Sequence, residues 1–160
     1  MVMRTLALTR SRPIAAPLPA VWAVVSDLDG YHRHAPGLAA SAVIAGSGQG
    51  ARRRCTDTAG ASWQETCTVF AAQDRVVIEV DVATYPAKYR ALFTAVRGTW
   101  SVRPSADGGT VAELHFDLTL RRLLPGRAAR RAVAARFHPE MDAILASYAE
   151  QALAGTSAAA

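Results

Sequence analysis

The run ASWQETCTVF at residues 61–70 alternates with a period of two. It puts Ser62, Gln64, Thr66 and Thr68 on one face and Trp63, Cys67 and Val69 on the other. Such alternation marks a strand with one wet face and one buried face. The phase also carries Glu65 inward, among apolar neighbours. A carboxylate there is costly without a partner or a wet cavity. The preceding segment GARRRCTD (50–57) supplies a partner: if Ala51 and Cys55 point inward, so does Arg53, while Arg52 and Arg54 face solvent. A turn near Thr58–Ala61 then brings Arg53 diagonally near Glu65, and a register one residue different substitutes Arg54. The pair reads equally well as a structural ion pair in the barrel mouth or as a group acting on a ligand.

Outward from this strand, turn signals recur at GSGQG (46–50), TAG (58–60), AAQD (71–74) and SADGG (105–109). The segments between them read as an antiparallel meander of about five further strands. Val76, Ile78, Val80 and Val82 share one face against Arg75, Glu79 and Asp81. Leu114, Phe116 and Leu118 likewise oppose Glu113, His115 and Asp117. Between residues 93 and 100, Phe93, Ala95 and Arg97 compete with Val96, Gly98 and Trp100 for the inner phase.

The chain begins with an alternating strand over 4–12, with Leu6 and Leu8 on one face. Pro19 suits the first turn of a following helix, in which Leu18, Val21, Trp22, Val25 and Leu28 recur at helical spacing. The last forty or so residues return to helix, with Phe137, Met141, Ile144, Leu145 and Tyr148 as one apolar stripe. Pro139 predicts a kink or break near His138. The order strand, helix, antiparallel strands and long final helix predicts an α+β domain in which that helix covers the sheet. One domain over 1–154 is expected, with 155–160 as a flexible tail.

Composition narrows the function. The 160 residues are 51% hydrophobic, and no apolar run has the length to span a bilayer, so no stable membrane insertion is expected. The N-terminal MVMRTLALTRSRPIAA is broken by Arg10, Arg12 and Pro13; it is not a secretory core, and a cytoplasmic location is expected. The formal charge is +5, and Lys88 is the only lysine among 18 basic residues. Arginine and alanine in this excess suggest a GC-rich bacterial genome. The arginines are scattered, apart from 52–54 and the stretch 121–136, and no nucleic-acid motif accompanies them, so nucleic acid is not an expected partner. Cys55 and Cys67 fit neither a disulfide framework nor a zinc spacing and read as buried apolar groups.

Several pieces together resemble the START-like, Bet v 1-type superfamily, in its bacterial polyketide cyclase/dehydrase and lipid-transport branch. They are PLPAVWAVVSDLDGYHRHAPGL (17–38), GARRRCTD (50–57), WQETCTVF with DRVVIEV (63–80), RGTWSVRP with GGTVAELHFDL (97–118) and MDAILASYAE (141–150). Val21-Trp22, Ser26-Asp27, Tyr31 and Pro36-Gly37 fit the first motif, and His34 stands where tryptophan is common. The resemblance implies a helix-grip fold, a seven-stranded antiparallel sheet wrapped around a long C-terminal helix. It also implies a hydrophobic ligand (lipid, quinone or polyketide-like) held between sheet and helix, with no cofactor. Glu65 and Arg53 match positions where related proteins often carry Glu and Arg.

The expected pocket wall is Trp63, Cys67, Val80, Tyr85, Tyr89, Phe93, Leu114, Phe116, Phe137, Met141 and Leu145. Tyr85 and Tyr89, in the loop ATYPAKYR (83–90), gate it or form a plain packed turn. Three functions follow: a ligand carrier, an aromatase/cyclase, or an interaction protein that has lost its ligand. In the second, Glu65, Arg53 and His34 or a loop tyrosine move protons and polarise a carbonyl. His34 otherwise reads as a surface loop histidine. Glu113, His115 and Asp117 read as a solvated face rather than metal ligands, and no metal is expected. The sequence sets no oligomeric state.

Overall fold

The computed structural model describes residues 5–121 and 126–158. Arg4 and Arg122, and the final two residues of the expected tail, therefore lie outside it. Seven strands form one antiparallel sheet: β1 (Thr5–Ile14), β2 (Leu38–Ala45), β3 (Arg52–Asp57), β4 (Ser62–Ala71), β5 (Arg75–Val80), β6 (Phe93–Pro104) and β7 (Thr110–Leu120). Their order across the sheet is β1-β7-β6-β5-β4-β3-β2. β2 to β7 are a meander in which each strand pairs with the next, as the short turns predict. β1 instead crosses to pair with β7 over its whole length, Thr5 opposite Thr119 and Ile14 opposite Thr110. The crossing run carries α1 (Leu18–Val25) and a 3-10 turn at Tyr31–Arg33.

α1 begins where Pro17 is extended and Pro19 occupies the first turn, where a missing N–H costs nothing. Its Val21, Val24 and Val25 are buried. The final helix α3 spans Gly126–Ala158 and lies across the sheet. Its buried stripe is Met141, Ile144, Leu145, Tyr148, Ala149 and Ala152, at the three- and four-residue spacing of one helical face. Of the residues before Met141, Val133 is the buried one. The helix is continuous through Pro139, where a kink or a break near His138 was expected. The ring removes one backbone donor, and the surrounding turns persist. α3 also continues past residue 154, where a flexible tail was expected, as far as Ala158.

Strand phase holds except where a bulge intervenes. In β4 the register shifts between Cys67 and Val69, so Phe70 pairs with Val76 on the inner face and packs edge-on against Trp22 at 5.5 Å. Val69 pairs with Val77 on the other face, which corrects its grouping with Trp63 and Cys67. β6 shifts between Phe93 and Ala95, which settles the competition there. Phe93, Val96, Trp100 and Val102 are all buried, and Gly98 shares their inner phase. Val82 leaves the sheet altogether, in a 3-10 turn at Val82–Thr84 that leads into α2 (Ala87–Arg90).

Candidate functional site

Sheet and α3 do not meet everywhere. Between them lies a cavity of about 230 Å³. Its walls come from β3 to β7, among them Trp63, Ile78, Val80, Val96 and Phe116, and from Phe137, Met141 and Ile144 of α3. Tyr85 and Tyr89 close one side. Their rings stand 5.0 Å apart and both lie edge-on to Trp63, at 5.3 and 6.4 Å. The rim is charged. Lys88 Nζ is 3.1 Å from Asp57 Oδ2, and Arg136 Nη1 is 3.3 Å from Glu140 Oε2. Asp57 Oδ1 also accepts the backbone N–H groups of Ala59 and Ala61, each at 2.9 Å. Those backbone bonds, with Lys88, hold its carboxyl below the usual range despite burial.

The polar centre is on β3 and β4. Arg53 and Glu65 are directly opposite in the register, not diagonal, and the other register, which would substitute Arg54, is not adopted. Both side chains are buried, and Arg53 Nε donates to Glu65 Oε2 at 2.7 Å. The other carboxylate oxygen, Oε1, accepts the Trp63 indole N–H at 2.8 Å. Glu65 is thus held at both oxygens. The Arg53 guanidinium lies 4.4 Å from the Tyr31 ring centroid and 5.9 Å from that of Trp100. These contacts offset some of the cost of burying a cation. Nη1 reaches the Leu28 carbonyl at 3.4 Å, while Nη2 is buried with no hydrogen-bond partner among the described residues.

The surroundings keep the rest of the centre protonated. Burial pushes the Tyr31 and Tyr85 hydroxyls well above their ordinary range. Burial and Glu65 push the Cys55 thiol up to about 12. Burial alone pulls Arg53 down, but Glu65, Cys55 and Tyr31 outweigh it, and the net effect raises its pKa further. The centre therefore offers one fixed cation with a spare donor, beside neutral hydroxyl and thiol groups.

Of the expected wall, Trp63, Val80, Tyr85, Tyr89, Phe116, Phe137 and Met141 line the cavity together with Arg53 and Glu65. Cys67, Phe93, Leu114 and Leu145 point inward but are packed into the core outside its lining. Phe93, for example, meets Phe137 edge-on at 6.1 Å. His34 is neither a surface residue nor part of the lining. It is 5% exposed, its Nδ1 lies 2.8 Å from Ser147 Oγ on α3, and its ring packs 4.7 Å from Tyr148. Burial lowers its pKa. Tyr31 and Trp100 line the centre without having been expected there. Tyr31 stood in a recognisable motif, and Trp100 in a phase that the β6 bulge obscured. Glu113, His115 and Asp117 lie on the opposite sheet face, where His115 Nε2 is 3.1 Å from Asp117 Oδ1. Among the described residues there is no cluster of three or more potential metal ligands, and no helix is long and apolar enough to cross a membrane.

The same architecture recurs in solved structures. The Zhui aromatase/cyclase from Streptomyces sp. R1128 superposes with a TM-score of 0.75 at 18% identity, covering 93% of this chain and 94% of that one. TTHA0849 from Thermus thermophilus gives 0.73 at 21% identity, covering 94% and 99%. The di-domain aromatase/cyclase StfQ of the steffimycin pathway gives 0.78 at 13% identity; 96% of this chain matches 52% of that one. Identities this low establish the shared fold. No curated protein matches the chain significantly in sequence. The family described as polyketide cyclase / dehydrase and lipid transport matches residues 5–152, which include the whole sheet and the buried stripe of α3, and the chain belongs to that family.

Proposed function

We propose that this protein binds a small hydrophobic molecule bearing at least one oxygen acceptor in the cavity between sheet and α3. The observation that carries the reading is Arg53. Arg53 is one of the residues lining the cavity, Glu65 fixes its orientation, and its buried Nη2 has no partner among the described residues. Leaving a buried charged donor unpaired costs more than an ordinary hydrogen bond returns. A ligand carbonyl, phenol or enolate oxygen at Nη2 removes that cost, while the aromatic walls take the ligand's apolar body.

Glu65 is then the group that positions Arg53, since both of its oxygens already accept hydrogen bonds. Native mass spectrometry of the purified protein tests the reading, with a co-purifying organic molecule as the expected result. Release of that molecule from the Arg53→Met/Glu65→Leu double variant, which strands no charge, is the second expected result. An empty protein that also binds no oxygenated aromatic probe overturns the proposal.

A second reading, an aromatase/cyclase, is favoured by the polar centre and by the names of the similar structures, Zhui and StfQ. There Arg53 polarises a ligand carbonyl, and Tyr31, whose ring lies 4.4 Å from the guanidinium and whose hydroxyl burial keeps protonated, serves as a donor. Confinement of a flexible chain supplies the remainder of the rate. The two readings separate on turnover of a polyketide substrate.

A further inference from the structure

Gly98 occupies the interior of β6, a central strand, where glycine weakens the sheet and packs nothing. It does not have the positive φ that would require a glycine. The reason is space. A Cβ built at Gly98 would sit 2.5 Å from Trp100 Cζ3, 2.6 Å from Trp100 Cη2 and 2.8 Å from Phe116 Cε1. Trp100, two residues along the same strand, folds its six-membered ring back over the bare Gly98 backbone. Phe116, the cross-strand partner of Gly98, abuts the same spot. All three line the cavity.

We infer that Gly98 is the residue that sets the depth of the cavity, and that the ligand is a compact aromatic, smaller than a drug-sized molecule. The inference rests on the reading of this cavity as a ligand site. Ordinary carbon–carbon contact is about 3.5–4.0 Å, so a methyl group at 98 would displace the Trp100 ring by roughly an ångström. The sheet backbone blocks one direction. Phe116 and Tyr31 meet the indole edge-on at 5.4 Å each and flank it. The open direction is into the cavity, towards Arg53. The wild-type volume of about 230 Å³ lies below the roughly 300–1,000 Å³ of sites for drug-sized ligands. A glycine here, at a cost to the strand, therefore keeps open about an ångström of depth in a cavity with little to lose.

The test is a double-mutant cycle read by ligand affinity, with 2-naphthol and 1-hydroxypyrene as probes and tryptophan fluorescence or calorimetry as the readout. Wild type is expected to bind 2-naphthol at least tenfold more tightly than the four-ring 1-hydroxypyrene. Gly98→Ala is expected to weaken 2-naphthol at least tenfold, whereas in a Trp100→Phe background the same change costs less than threefold. A glycine that merely supports the fold would weaken binding equally in both backgrounds, and that result overturns the inference. So does Gly98→Ala binding 2-naphthol within threefold of wild type, or wild type preferring 1-hydroxypyrene. If Gly98→Ala does not fold, Trp100→Leu alone decides the matter: it is expected to gain affinity for 1-hydroxypyrene by tenfold or more, and no gain overturns the inference. Wild type binding neither probe defeats the reading of the cavity itself, and the inference with it, which is distinct from binding that ignores residue 98.

Discussion

Arg53 and Glu65 face each other directly across β3 and β4, Nε to Oε2 at 2.7 Å, with both side chains buried. Removing one partner from such a pair strands a charge. Glu65→Gln is therefore expected to cost about 3–5 kcal/mol of stability. Arg53→Met combined with Glu65→Leu, which replaces both by apolar groups of similar size, is expected to recover most of that loss. Urea unfolding of the two variants measures both, and equal destabilisation by the single and double changes would contradict the account.

Trp63 is part of the wall and also holds Glu65, through its indole N–H at 2.8 Å from Oε1. Trp63→Phe keeps a ring against Tyr85 and Tyr89 but removes the donor. A hydrogen bond to a charged group contributes about 1.5–3 kcal/mol, and that is the loss expected in chemical denaturation. In a Glu65→Gln background the same change is expected to cost less.

Asp57 ties the rim together through Ala59, Ala61 and Lys88. Its folded-state pKa lies below the ordinary 3.8, chiefly because of the Ala61 backbone bond. A depressed carboxyl pKa stabilises the fold above the unfolded-state value, and that contribution fades as pH falls through the folded one. Asp57→Asn is thus expected to lower the melting temperature at about pH 6, and to make progressively less difference as the pH falls below the ordinary 3.8.

His34 behaves in the opposite sense to a histidine that gains a partner. Burial lowers its pKa from the ordinary 6.5, so the unfolded chain binds its proton more readily than the folded one. Its effect on stability is nil well above the unfolded-state value, and a penalty grows as pH falls below it. Wild type should lose stability between about pH 7 and 5, and His34→Gln should flatten that part of the profile. A mutant profile parallel to wild type would assign the dependence to other groups.

Strand phase makes Glu65, Arg53 and Trp63 legible in the sequence, because a period of two leaves little freedom once Trp63 and Cys67 are inside. It failed at Val69 and at Phe93–Trp100 for one reason: a bulge adds a residue without changing residue type. Periodicity also reports only that a side chain points inward. Whether it then meets another side chain, as Leu114 and Leu145 do, or an opening, as Phe116 and Met141 do, depends on where α3 stands off the sheet. His34 was misplaced because its partners, Ser147 and Tyr148, lie more than a hundred residues away. The tyrosine and tryptophan flanking Arg53 are brought to it by the β1 crossover and by β6, neither of which the local pattern around 50–70 contains.

The rim lysine has one further consequence. Lys88 is the only lysine of the 160 residues, and it stands at the cavity entrance with more than half of its side chain exposed. An amine-reactive dye therefore has one side-chain target, besides the chain terminus, and that target is the doorway. Attached there, an environment-sensitive fluorophore would turn the molecule into a reagentless sensor of its own cargo, with no cysteine to engineer and no surface to clear.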